Sequence, residues 1–304
     1  VFGKEEKAMA IVERKTAGER TLHALNITVL LLITVVFLYP MWHCLMASFS
    51  EPTRLIGYRG FILLPMGFSL EGYQTVFHNS NIFIGYFNTL FYLIVGTAIN
   101  MLLTIVGGYC LARREMKLKK LITLLIVFTM YIDFGLITNF LNVRDLGLYN
   151  SRWAIILPTA INTYNLIVMR TAFAALPASI EESAMIDGAN DFCILFRITL
   201  PLTKATLAVV VLFYAVEHWN SWYSSLLYLQ DRAKHPIQMF LREILIANSS
   251  SVTAGETNSI DGVQFLDELL KYCTIIISTV PILAVYPFVQ KYFVTGVMIG
   301  SVKG

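Results

Sequence analysis

Six long apolar runs decide what this chain can become. They fall at about 22–48, 84–111, 121–141, 153–174, 205–229 and 272–293, and each reaches the roughly 20 residues a helix needs to cross the hydrocarbon core of a bilayer. Hydrocarbon offers the backbone no water to pair with, so a spanning segment must satisfy its own N–H and C=O groups, as a helix does. The expected fold is an all-α membrane protein with six transmembrane helices. Composition agrees: 56% of the 304 residues are apolar and the mean hydropathy is +0.64, which sets aside the two-domain soluble reading that the length alone invites. A net charge of +3 argues against a nucleic-acid partner; lipid is the expected surrounding.

The basic residues set the orientation. Residues 1–21 form a polar tail with Lys4, Lys7, Arg14, Lys15 and Arg20, and the second run ends in RREMKLKK. Together with Arg170, Arg197, Lys204 and the C-terminal lysines these make 15 of the 23 Lys and Arg, so both termini (1–21 and 298–304) are expected in the cytoplasm, flanking a membrane domain at 22–297. The first run is long and lacks a small-residue cleavage site, so it is expected to remain as a span. Pro40 is a candidate kink within it. In the loop at 49–81, Ser69 can cap a short amphipathic helix presenting Leu70, Tyr73 and Phe77 to the membrane interface. The polar region 230–271 holds a candidate surface helix, PIQMFLREILIA, and a flexible run, NSSSVTAGETNS. Cys44, Cys110, Cys193 and Cys273 stand apart, with no spacing for a disulfide framework or a metal.

Between the fourth and fifth runs lies LPASIEESAMIDGANDFCILFRITLPL, residues 176–202, placed in the cytoplasm by the charge count. Pro177 marks a boundary, Ser179 is a candidate N-cap, and Glu182 stands three residues on, where it can close a capping box on a helix starting near Ile180. Gly188 can end that helix in the left-handed conformation, Asn190 or Asp191 can cap a second one, and Pro201 is expected to stop it. Two short helices joined by a glycine turn are expected.

Polar groups inside the runs need a setting, because an ionised side chain in hydrocarbon costs roughly 2.5–3.5 kcal/mol on insertion scales. Glu217 in the fifth run shares a helical face with Tyr214, Ser221, Ser224 and Tyr228, a polar stripe suited to a pore or cavity or to packing on another polar helix. Trp219, Asn220 and Trp222 fall on adjoining faces. Asp133, in the outer half of the third run, reads as structural or interfacial. Asn162 and Asn165 are spaced to hydrogen-bond across helices. His43, His78 and His218 show no ligand spacing, so no metal is assigned. Neither a phosphate loop GxxxxGK[ST], nor HExxH, nor a nucleophile elbow occurs, so the chain does not read as an enzyme, and any ATP that drives it must bind another polypeptide.

Glu182-Ser183-Ala184, Asp187-Gly188-Ala189 and Ile198-Thr199-Leu200-Pro201 resemble the EAA loop of ABC importer permeases, with Ser183 in place of the first alanine. NTLFYLIVGTAIN, the arginine pair after GYCLA, Trp219-Asn220 and the C-terminal YPFVQKYFVTGVMIGSVKG extend the likeness over most of the chain. They look like the carbohydrate-uptake, maltose-permease-like branch, and the C-terminal sequence is similar to the subgroup for uronic-acid oligosaccharides such as alginate or pectin fragments. The resemblance implies a type I ABC importer permease fold, with residues 176–202 as coupling helices that dock on a cytoplasmic ATPase. Glu181, Glu182, Ser183, Ala184, Asp187, Gly188 and Pro201 would then form the coupling set. It also implies a second permease subunit, a dimer of ATPase subunits carrying ATP and Mg, and an external or periplasmic solute-binding protein. No cofactor would be held by this chain. Tyr214, Glu217, Asn220, Ser221, Trp222 and Ser224 would border the translocation path in the bacterial inner membrane. An importer of peptides or amino acids is the nearest rival; an ion-coupled carrier would need internal repeats that are not found.

Overall fold

The structure is a computed structural model that describes residues 17–55, 58, 60–113, 115–132, 134–253, 269–284, 287 and 290. Asp133 and the C-terminal sequence from 291 onward lie outside the described residues. Among the described residues every regular element is helical. Helix α1 (Ala17–Ser48) carries the first apolar run unbroken, with Pro40 inside it. After the short helix α2 (Glu71–His78) comes α3 (Ser80–Ala112), which absorbs a π-helical turn at Tyr92–Gly96. Only α1 and α3 among the described helices are long and apolar enough to cross a bilayer without a break.

The next three runs differ from the expectation of one helix each. The third divides into α4 (Lys119–Thr129) and α5 (Gly135–Asp145), with Gly135 at φ +79° starting the second piece. The fourth opens with a short turn at Trp153–Ile156, breaks, and resumes as α6 (Thr163–Ala174). There follow α7 (Ala178–Ile186), α8 (Asp191–Leu202), α9 (Lys204–Trp219), α10 (Trp222–Tyr228), α11 (Ile237–Thr253) and α12 (Leu269–Ala284). The fifth run is thus divided after Trp219.

A break at membrane depth strands backbone groups, and those near Pro158 are paired by side chains of neighbouring helices. Asn100 of α3 donates its Nδ2 to the Thr159 carbonyl at 2.5 Å, which leaves its Oδ1 to accept from His218 Nε2 of α9 at 2.7 Å. Tyr214 accepts from the Asn162 amide at 3.0 Å and shares a 2.7 Å hydrogen bond with Thr104. Asn162 itself does not reach across helices as the sequence suggested; its Oδ1 caps α6 through the Asn165 amide. Asn100, Thr104, Tyr214 and His218 are all buried, so each loss is felt in full. Asn100→Leu is expected to cost about 1–3 kcal/mol by leaving the Thr159 carbonyl and the His218 ring unpaired, read as a lower melting temperature in detergent.

Apolar packing gathers into three clusters. One joins α3, α6 and α9 to the hairpin α7–α8 through Met101, Tyr109, Met169, Phe173, Ile194 and Val210. A second joins the end of α1 to α2, α11 and α12, and a third sits under the 228–229 connection. The segment read as a surface helix is partly core: Ile237 and Phe240 of α11 are buried, and they pack where Gly85 leaves no room for a Cβ. Ser69 accepts from the Glu71 amide at 3.2 Å just ahead of α2 but is not its cap, since Leu70 holds the N-cap position and no side chain caps that end; Phe77 is exposed. The connection before α11 is tied to α3 by Asn88, which donates to the Ala233 and His235 carbonyls, and by Tyr92, which donates to that of Lys234.

Candidate functional site

The hairpin α7–α8 is built around one turn. Gly188 adopts φ +81° in open space, its amide donates to the Met185 carbonyl, and that of Ala189 donates to Ala184 at 2.9 Å. Those bonds close α7 as a glycine left-handed cap does. Asn190 then caps α8 through the Cys193 amide at 2.8 Å. The capping box does not form. Helix α7 begins directly after Pro177, so Ser179 already has helical backbone geometry and cannot serve as N-cap, and no side chain caps that end. Glu182 is therefore free of the role the spacing suggested. It is exposed and has no hydrogen-bond or ion-pair partner among the described residues.

Helix α8 ends at Leu202, one residue past Pro201, after a π-helical stretch at Ile194–Thr199, and the chain then turns through 87° into α9. Ser183, Asp187 and Gly188 are exposed, whereas Ala184 is buried against the cluster below and fixes which face of α7 points inward. Glu181, beside the exposed Glu182, points the other way.

Arg113, which in the sequence counts toward the cytoplasmic charge bias and belongs to the arginine pair after GYCLA, holds this hairpin. Its Nη1 donates to Glu181 Oε2 at 3.1 Å, its Nη2 pairs with Asp191 Oδ1, and its guanidinium lies 4.9 Å from the Tyr109 ring centroid. The partners stand 68 residues away and more, a distance that no local spacing rule spans.

The pathway stripe needs one unbroken helix, and the chain does not supply it. Tyr214 is buried and engaged with Thr104 and Asn162, so it braces the fold. Glu217 is exposed at a cleft of about 370 Å³ shared with Met130, Pro158, Ile161, Asn162 and Tyr164. Beyond the break, Asn220 bonds back to the Val216 carbonyl, the Ser221 hydroxyl is enclosed, and Ser224 is half-buried. Trp222 has Arg242 over its ring at 5.2 Å. The cleft lies beside the break in the fourth run, where Pro158 lines it.

Known proteins share this sequence and fold. A family model for binding-protein-dependent transport system inner membrane components matches residues 104–231. The polygalacturonan/rhamnogalacturonan transport system permease protein YtcP of Bacillus subtilis is 41% identical over 275 residues, covering 90% of this chain and 96% of that one. Protein LplC of the same organism is 39% identical over 291 residues, covering 95% and 97%. A chain in the crystal structure of a bacterial ABC transporter involved in the import of the acidic polysaccharide alginate superposes with a TM-score of 0.82 at 32% identity, covering 91% of this chain and 98% of that one. The chain belongs to the family of binding-protein-dependent transport system inner membrane components and is a permease subunit of an ABC transporter, whose ATPase is a separate subunit.

Proposed function

We propose that this permease forms half of an import pathway for oligosaccharides, with acidic, uronate-type chains as the favoured cargo. The observation that carries this reading is the pairing of a 41%-identical relative named for polygalacturonan/rhamnogalacturonan with a structural neighbour that imports alginate. Both polymers are rich in uronic acids. The complex would contain a second permease subunit, two cytoplasmic ATPase subunits that hold ATP and Mg, and an external solute-binding protein. Bare apolar flanks on α1, at Leu32, Val36 and Phe37, suit contact with lipid or with the second permease. Both termini and the hairpin α7–α8 would face the cytoplasm, with the exposed Glu182 pairing to a basic residue of the ATPase.

Glu217 would border the cargo path. An unpaired carboxylate accepts hydrogen bonds from sugar hydroxyls and opposes the lodging of an anionic chain, which suits a conduit that must release what it admits. Uptake into vesicles holding the whole complex, with the loaded binding protein outside and ATP inside, tests the reading. Oligogalacturonate or alginate oligomers should enter only with ATP; uptake on an ion gradient without the ATPase would refute it, and equal uptake of neutral oligosaccharides would remove the preference for acids. Glu217→Gln should alter the uptake rate, and thiol labelling of cysteines at 217, 221 and 224 should find water at 217. Three lipid-facing positions would exclude the path.

A further inference from the structure

We propose that Arg113 is a clamp across the glycine turn, a positioning residue that makes the hairpin α7–α8 and the long helix α3 move as one body. The inference rests on the coupling role assigned to the hairpin above. Gly188 is the natural flexing point of that hairpin: it has a φ of +81° and stands in open space, so beyond the apolar cluster under Ala184 and Ile194 the angle between α7 and α8 depends on polar contacts across the turn. Arg113 grips one carboxylate on each side of the turn, Glu181 in the first turn of α7 and Asp191 in the first turn of α8. The guanidinium is the only side-chain group whose planar fork can serve two carboxylates at once, and a lysine ammonium would be a single point charge.

The clamp is also tied into the membrane helix. Arg113 is the residue that follows the last turn of α3, and its guanidinium rests on Tyr109, one turn back on the same helix. Tyr109 meets Phe173 of α6 edge-on, with ring centroids 6.3 Å apart. Only 17% of the Arg113 side chain and 29% of that of Glu181 are exposed, so this pair is sheltered from screening, whereas Asp191 meets the guanidinium from the solvent side. A displacement of the hairpin must therefore carry α3 with it or break two ion pairs. Glu181 turns inward to the clamp while its neighbour Glu182 turns outward, so adjacent carboxylates divide the work of transmitting and receiving the motion.

The test uses the assembled complex in proteoliposomes and reads substrate imported per ATP hydrolysed. Arg113→Ala should lower that ratio by at least about fivefold, the lower end of a typical coupling free energy. Arg113→Lys should lower it too, because one ammonium cannot hold both sides of the turn. The reversal Arg113→Asp with Asp191→Arg should recover part of the ratio lost in Arg113→Asp alone, a result that a general packing defect would not give. Spin labels at Cys110 and at Ile186→Cys, with the other cysteines replaced, should show one distance distribution in the parent complex with and without trapped ATP, and a broadened one in Arg113→Ala. A parental ratio in Arg113→Ala, or a parent distance that changes on trapping, would overturn the clamp. Should the alanine variant fail to assemble, the parent distance decides. Glu182→Ala in the same assay separates the two ideas: if it uncouples and Arg113→Ala does not, the clamp alone falls, and if neither uncouples, the coupling role of the hairpin falls as well.

Discussion

Glu182→Ala is expected to abolish substrate-stimulated ATP hydrolysis and to leave the permease inserted and assembled with the second permease subunit proposed above. The expectation follows from what Glu182 does not touch. Its carboxylate is exposed and unpaired among the described residues, so truncation within α7 should change stability by no more than about 0.5 kcal/mol. A glutamate that contributes so little to its own fold is available to a partner. When one member of a charge pair buried at an interface is truncated, about 2–5 kcal/mol is lost, enough to reduce coupled turnover about thirtyfold or more. The measurement is ATPase activity in proteoliposomes with and without loaded binding protein, beside an immunoblot of the membrane fraction. Wild-type stimulation in the variant would remove Glu182 from the coupling contact.

The second large effect is structural. Gly96→Val should unfold the packing of α3 on α9, because a Cβ at Gly96 would lie 2.6 Å from His218 Cε1 and closer still to Nε2. The ring has nowhere to go: His218 is buried and hydrogen-bonded to Asn100, which holds the broken fourth run through Thr159. The helices must separate, adding overpacking of about 1–3 kcal/mol to the loss of a buried hydrogen bond of about 1–3 kcal/mol. A fall of several degrees in detergent melting temperature, with less protein recovered in the membrane, is the expected outcome. An unchanged melting curve would show that α3 and α9 do not pack here as closely as Gly96 requires.

Much of this architecture is legible in residue order. The apolar runs give α1 and α3, since length and hydropathy are summed along the chain. Gly188 and Asn190 announce the hairpin, because a left-handed turn and a side-chain cap are settled within four residues. Ser179 does not serve as the cap because the helix starts at Ala178, two residues ahead of the Ile180 start that its hydroxyl would need. The end of the helix that carries Glu217 is not legible in this way, because no glycine or proline marks the break after Trp219.

By itself, then, the sequence determined that the chain is helical and membrane-bound, where its long spans run, and that a two-helix hairpin lies between α6 and α9. Only the tertiary structure decided that Asn100 and Tyr214 mend the break around Pro158, that Glu217 opens on the cleft beside it, and that Arg113 reaches Glu181 and Asp191. The reason is physical: periodicity and capping act between residues within a turn of one another, whereas these pairings exist because packed helices bring together groups that the chain itself keeps dozens of residues apart.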